Sequence, residues 1–152
     1  MGPSRQISGR RLAAVLTCVL LAGAAAAGCG ATGRFAGAGG AQIVGVTERD
    51  FTIKASLAHV AAGDVVFQSR NRGPDAHELI VIRGRAAGLP LRGDGTTVDE
   101  ETLKSEIVGV LEPGAPGSVR ELRVHLAPGR YVLLCNMSGH FMGGMHTVVV
   151  AR

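Results

Sequence analysis

The chain has 152 residues, the length of one ordinary domain with flanking segments. Its 16 basic residues include Arg5, Arg10 and Arg11 in the first 28 positions, so the rest of the chain is close to neutral, with 13 basic against 12 acidic side chains. No basic stripe with interleaved aromatic residues is present in the sequence, and this absence argues against nucleic-acid binding.

The first 28 residues have the composition of an export signal. After the positively charged start, an almost unbroken apolar run extends over residues 12–27, and Ala26-Ala27-Gly28 forms a small-residue processing site. The run is too short and too rich in alanine for a membrane-spanning helix, which needs about 20 strongly apolar residues. We therefore predict a signal peptide over residues 1–28, with an uncleaved anchor as the alternative.

Cys29 directly follows the processing site, and the segment resembles a bacterial lipoprotein signal, in which that cysteine is lipidated. We expect a lipid at Cys29 to tether the protein to the extracytoplasmic face of the cell membrane. Ordinary cleavage would instead give a periplasmic or secreted protein. The pair Arg10-Arg11 leaves both the Sec and the twin-arginine export routes open. Residues 29–41 are mostly Gly and Ala and are predicted to form a flexible tether.

From Gln42 onward, short alternating or compact apolar runs recur between turn residues, a pattern typical of β-sandwiches. The predicted strands are Gln42–Val46, Phe51–Leu57, Val65–Gln68, Leu79–Ile82, Val119–Leu126, Tyr131–Cys135 and His146–Val150. In the second of them, the polar residues Thr52, Lys54 and Ser56 alternate with apolar ones, as in a half-buried strand. Residues 42–152 are therefore predicted to form one all-β, Greek-key β-sandwich of about seven strands.

One short helix is predicted as an insertion between the fourth and fifth of these strands. Thr97 and Glu100 have the spacing of a capping box. Leu103, Ile107 and Val110 then recur at helical spacing. We expect this helix to cover one edge of the sandwich.

The cysteines point to a single thiol in the folded domain. Cys18 lies in the signal segment and Cys29 is the predicted lipidation site, so Cys135 has no disulfide partner. A free thiol in an oxidising compartment is a liability unless it is buried or bound to a metal. A buried, unreactive Cys is the alternative, but the residues that follow Cys135 favour a metal.

Those residues have the spacing of a metal-binding loop. Cys135, His140 and Met145 follow one another at intervals of five residues. A second imidazole is available at His77, which opens an apolar strand directly after the turn-rich stretch Asn71–Asp75. Sulfur ligands favour Cu(I) and imidazole also accepts Cu(II), and two His with one Cys and a distant Met make up a blue-copper electron-transfer site. The sequence therefore predicts a copper site.

The segment Gly129–Met145 resembles the last strand, loop and strand of the cupredoxins, the blue copper proteins. Its C-x4-H-x4-M spacing is similar to that of the sulfocyanin and rusticyanin branch, and the resemblance extends from about His77 to the C-terminus. The resemblance implies that His77, Cys135 and His140 are equatorial ligands of one type 1 copper ion and that Met145 is its axial ligand.

Two positions depart from the family pattern. Glu78 stands where many relatives have Asn or Ser, and Ser138 stands where many have Pro. The first departure is expected to alter the hydrogen bonding beside a ligand, and with it the redox potential, but not the ligand set.

Other side chains near the loop are weaker candidates. Met142 is the alternative axial ligand, but Gly143-Gly144 lets the chain turn back so that Met145 begins the final strand. Phe141 either packs beneath the loop or lies on its surface. The remaining imidazoles of the domain are expected to be solvated: His59, His125 and His146.

The predicted function is that of an exported, monomeric one-electron carrier whose redox partners dock weakly near His140. Copper storage or delivery, with the same loop binding Cu(I), is the alternative. We do not expect an enzyme, because a Cys135 nucleophile would leave Met145 without a role, and no His-x-His pairs are present in the sequence to build a multicopper oxidase cluster.

Overall fold

The structure, a computed structural model, describes residues 40–152. The predictions for the signal peptide, for the lipid at Cys29 and for nearly all of the tether concern residues outside this range. Within it lie nine strands: β1 (Gln42–Arg49), β2 (Thr52–Ala55), β3 (His59–Val60), β4 (Gly63–Asn71), β5 (His77–Arg83), β6 (Ile107–Gly114), β7 (Val119–Leu126), β8 (Gly129–Leu134) and β9 (His146–Ala151). Among these residues there is no helix that could span a membrane.

The strands form two mixed sheets, which confirms the predicted all-β sandwich but with nine strands instead of about seven. One sheet has the order β2-β1-β4-β7 and the other has the order β3-β9-β8-β5-β6. β1 and β4 are parallel, as are β3 and β9. The additional strands are β3 and β6, which lie at the two edges of the second sheet.

The second sheet is buried on both faces along β5 and β8. Leu79 and Leu133 point into the main core between the two sheets. Their neighbours Ile80 and Leu134 point into a second cluster that contains Val98, on the opposite face. Successive side chains of a strand alternate between the two faces of a sheet, so this pattern follows from the nearly continuous apolar sequence of both strands.

The helix predicted between Thr97 and Val110 was wrong. The Thr97 hydroxyl donates to Asp94 Oδ2 at 2.6 Å instead of capping a helix. Residues 99–106 contain a short hydrogen-bonded turn, in which the N–H of Leu103 bonds to the carbonyl of Asp99 at 3.3 Å, and no helix follows it within the described residues.

The second half of the predicted helix is strand β6, which pairs antiparallel with β5. Ile107, Val108 and Val110 are β-branched residues, which favour strands. The edge of β5 offers this segment a row of unpaired backbone groups. Pairing with that edge therefore wins over the helical spacing of Leu103, Ile107 and Val110.

The residue Gly109 distinguishes the strand from the helix experimentally. In a helix, Gly109→Ala would stabilise the protein by about 1 kcal/mol. In strand β6, a Cβ at this position would lie 2.7 Å from Val124 Cγ1. Because Val124 is short and buried, we expect Gly109→Ala to lower the free energy of unfolding by about 1–3 kcal/mol, measured by urea denaturation.

Gly93→Ala is the matched control, because no atom lies within 4 Å of its added Cβ. We expect the free energy of unfolding of this variant to stay close to that of the wild type. A stabilised Gly109→Ala protein would contradict the strand.

Candidate metal centre

Two predicted ligands reach the same end of the sandwich because their strands are neighbours. His77 is the first residue of β5, and Cys135 follows the last residue of β8. The strands are antiparallel with Ile80 opposite Leu134, so Leu79 lies opposite Cys135. His77 and Cys135 have the same strand parity as the core residues Leu79 and Leu133, and both point inward and are fully buried.

The loop after Cys135 carries the other two predicted ligands and is closed by its own backbone. The N–H of Met145 donates to the carbonyl of His140 at 2.9 Å, and the N–H of Cys135 donates to the carbonyl of Met145 at 3.2 Å. Gly139 and Gly144 have φ angles of 80° and 99°, which favour glycine. Met145 is fully buried beside Cys135.

The structure brings three of the four predicted ligands together. One ligand atom from each of His77, Cys135 and His140 lies within 4.8 Å of the other two. Cys135 Sγ is 3.4 Å from His140 Nδ1, and the two imidazole ring centroids are 5.2 Å apart. His140 is only 9% exposed. The role of Met145 as the axial ligand stays a prediction.

The donor atoms fit a copper ion. Both ring nitrogens of His77 are buried without a hydrogen-bond partner in the structure. Such unpaired buried polar atoms are costly, and a metal ion would satisfy one of them. Two imidazoles, a thiolate and a nearby thioether are soft and borderline donors, which suit copper.

Burial favours the uncharged forms of Cys135 and His77 before a metal binds. Burial raises the pKa of the Cys135 thiol to about 11, and the negative charges of Glu78 and Glu48 add to the increase. Burial also lowers the pKa of His77, with a further contribution from His140. His77 therefore presents a neutral imidazole, and Cys135 must release a proton when it binds a metal.

A buried ion pair holds the backbone of His77 in place. Arg120 donates to the His77 carbonyl oxygen at 3.0 Å and pairs with Glu48 Oε2 at the same distance. Glu48 is fully buried, and this burial raises its pKa, while Ser69 and Arg120 oppose the rise. Losing either partner would leave an unpaired charge directly behind the ligand.

Glu78, the departure from the family pattern, links the two ligand strands. Its Oε1 accepts a hydrogen bond of 2.9 Å from the backbone N–H of Asn136, the residue after Cys135. The Asn136 side chain in turn bonds to both backbone groups of Val98, at 2.6 and 3.0 Å. Residues 84–106 are thereby attached next to the metal-binding loop.

Sequence reasoning missed two residues at the site, Asp50 and Phe51, which form the turn between β1 and β2. Asp50 Oδ1 lies 3.1 Å from His77 Nε2, and the Phe51 ring lies edge-on to His140 with centroids 5.4 Å apart. Phe51 was predicted to begin a strand, but its φ of 59° places it in the turn, and β2 begins at Thr52. The polar sequence before Phe51 was the one available signal of a turn.

Phe141 and the three imidazoles outside the predicted ligand set differ in burial. Phe141 packs beneath the loop in the second hydrophobic cluster and is 9% exposed. His59 and His125 are exposed, as predicted. His146 is half-buried, with its ring centroid 5.2 Å from that of Phe141, so the prediction that it is solvated is only partly correct.

No protein-family model matches the chain, and no curated protein matches it. Among solved structures, it is similar to a dithionite-reduced auracyanin from Roseiflexus castenholzii, with 20% identity, a TM-score of 0.58 and coverage of 75% of this chain and 99% of the other. Auracyanin A of Chloroflexus aurantiacus, described as a "blue" copper protein, matches at 20% identity and a TM-score of 0.57, covering 74% and 100% of the two chains.

An azurin from Methylomonas sp. strain J matches at 15% identity and a TM-score of 0.52, over 74% of this chain and 99% of the azurin. These identities are low, so the matches describe the fold. Auracyanin and azurin are both cupredoxins. The chain therefore has the cupredoxin fold, and this fold brings together a His-Cys-His group formed by His77, Cys135 and His140.

Proposed function

We propose that the protein is a type 1 copper protein that carries single electrons between redox partners. The observation that supports it most strongly is the buried group of His77, Cys135 and His140, whose ligand atoms lie within 4.8 Å of one another. The fold is that of the auracyanins, one of which is described as a blue copper protein. The donor set accepts both oxidation states of copper.

Copper, when bound, supplies the one-electron chemistry, and the residues of the chain keep its surroundings constant. His77 is fixed by β5, and Cys135 by the end of β8. Met145 is held by backbone hydrogen bonds to both Cys135 and His140. A site fixed in this way changes little between oxidation states and excludes water, so electron transfer requires little rearrangement.

The surroundings of His140 suit a weakly bound redox partner. His140 is 9% exposed, whereas Phe51 and Met142 are 53% and 56% exposed. Phe51 contacts the His140 ring edge-on, and Gly143 lies against Phe51. An apolar surface next to the ligand brings a partner close without strong binding, as transient electron-transfer contacts require.

Electron carriage accounts for the burial of the donors better than copper delivery does. A delivery protein has to present its Cu(I) ligands to an acceptor. Met145 is fully buried and Cys135 is fully buried beneath the loop. Both predicted sulfur ligands are therefore out of reach of an acceptor protein, although Met142 is exposed in the same loop.

We also propose that the protein works outside the cytoplasm, attached to the membrane by lipid at Cys29. The support is the sequence of the first 29 residues, in which a positive start, an apolar run and a small-residue triplet precede the cysteine. A buried thiol such as Cys135 is protected from the oxidants of that compartment.

The copper proposal is tested by optical and paramagnetic resonance spectra of the protein loaded with Cu(II). We expect an intense blue absorption, because it arises from charge transfer between a Cys thiolate and copper. Cys135→Ser should abolish the colour, and Met145→Leu should retain the colour but raise the reduction potential, because the axial sulfur stabilises Cu(II).

Met142→Leu is the matched control, since it removes an exposed thioether from the same loop. Its potential should equal that of the wild type. A wild-type protein that binds Cu(I) but shows no blue absorption with Cu(II) would instead indicate storage or delivery. A shift in Met142→Leu but not in Met145→Leu would reassign the axial ligand.

The docking surface is tested by the electron self-exchange rate between reduced and oxidised protein. We expect Met142→Lys to slow self-exchange at least tenfold, because two copies must then bring like charges together at the exposed surface beside His140. Ile43→Lys is the control, because Ile43 is 63% exposed but lies near the opposite end of β1. Equal rates in the two variants would exclude this surface as the route of transfer.

A further inference from the structure

The carboxylate of Asp50 approaches the Nε2 nitrogen of His77. Asp50 Oδ1 and His77 Nε2 are 3.1 Å apart, and the Asp50 side chain is 27% exposed. The distance is that of a hydrogen bond and only the angle is unfavourable, so a small rotation of the imidazole ring would complete the bond. Neither atom has any other hydrogen-bond partner. Both atoms are buried, so the contact cannot be replaced by water without movement of the turn.

The backbone around Gly73 leaves room for this contact. A Cβ on Gly73 would lie 2.6 Å from Asp50 Oδ1 and 2.7 Å from His77 Nε2. Gly73 is held in this position by a hydrogen bond of 2.9 Å from its N–H to Asn71 Oδ1. Asn71 is itself buried and donates to the Gly114 carbonyl at 3.0 Å. Any larger residue at position 73 would therefore occupy the space in which the Asp50 carboxylate and the His77 imidazole meet.

We propose that Asp50 is the positioning residue of His77, whose carboxylate accepts the Nε2 proton so that Nδ1 faces Cys135 and His140. The proposal rests on the proposed copper function. A carboxylate behind a ligating imidazole fixes the tautomer and the ring orientation, and it makes the ligand nitrogen more basic. A more basic ligand and a nearby negative charge both favour Cu(II), so Asp50 lowers the reduction potential.

The two residues of the turn act on different ligands. Asp50 contacts His77, whereas Phe51 covers the ring of His140 at a centroid distance of 5.4 Å. Phe51 has a φ of 59°, which is unfavourable for a residue with a side chain. One strained turn therefore brings the Asp50 carboxylate against His77 and the Phe51 ring against His140.

The role of Asp50 is tested with two variants. Asp50→Ala removes both the charge and the proton acceptor, and we expect it to weaken copper binding about 10–100-fold, measured by competition with a chelator. Asp50→Asn keeps an oxygen acceptor, so it should retain most of the affinity while its reduction potential rises. If Asp50→Asn loses as much affinity as Asp50→Ala, the proton-acceptor role is wrong.

Asp75 provides the matched control for charge alone. Its negative charge favours protonated His77, but Asp75 is exposed, and the ion pair of His77 within residues 40–152 is made with Asp50. We expect Asp75→Ala to leave the copper affinity unchanged and to raise the potential less than Asp50→Asn does. If the Asp50 and Asp75 variants changed the copper affinity and the reduction potential equally, Asp50 would act only through its charge, and the proposal would be overturned.

A measurement without copper separates this proposal from the proposed function. In the metal-free protein labelled with nitrogen-15, NMR should show His77 protonated at Nε2, and Asp50→Ala should change the tautomer ratio. A wild-type His77 protonated at Nδ1 would overturn the role of Asp50, whatever the copper spectra show. If the tautomer is as expected but the Cu(II) spectrum of the wild type is not blue, the copper function alone fails.

Discussion

The alternation of side chains along β5 and β8 determines where the site forms. Both strands are buried on both faces, and alternate residues belong to the main core and to the second cluster. His77 and Cys135 share the parity of the main-core residues, so they point into the interior at one end of adjacent strands. A shift of one residue in either strand would turn its ligand to the other face and destroy the site.

The same arrangement explains why the remaining parts of the site surround these two residues. The metal-binding loop has only to return from Cys135 to β9, and its backbone bonds bring His140 and Met145 over the thiol. Residues 84–106 cover the opposite face and attach to Asn136, directly after Cys135. Backbone hydrogen bonds fix the loop and Asn136 fixes residues 84–106, so the ligand positions do not depend on the metal alone.

Alternation is a local signal, and from it the sequence predicted the sandwich. The Cys-His-Met spacing is also local, but the convergence of His77 with Cys135 and His140 was predicted from the resemblance to the cupredoxins. Sequence reasoning failed at β6, where the spacing of Leu103, Ile107 and Val110 indicates a helix but the β-branched residues of the segment favour a strand. Only the position of the β5 edge decides between the two. It also failed at Asp50 and Phe51, which reach the imidazoles through the pairing of β1 with β2 and β4. Such contacts depend on tertiary structure and have no local pattern.

The central claim is that the fold forms the ligand cage before copper binds. Crystal structures of the metal-free and copper-loaded protein test it most directly. The account predicts that the ligand atoms of His77, Cys135 and His140 stay within about 1 Å of their metal-free positions when copper is present, as in preorganised sites. A copper-loaded structure in which His77 has swung away from Cys135, or in which other side chains bind the metal, would contradict it.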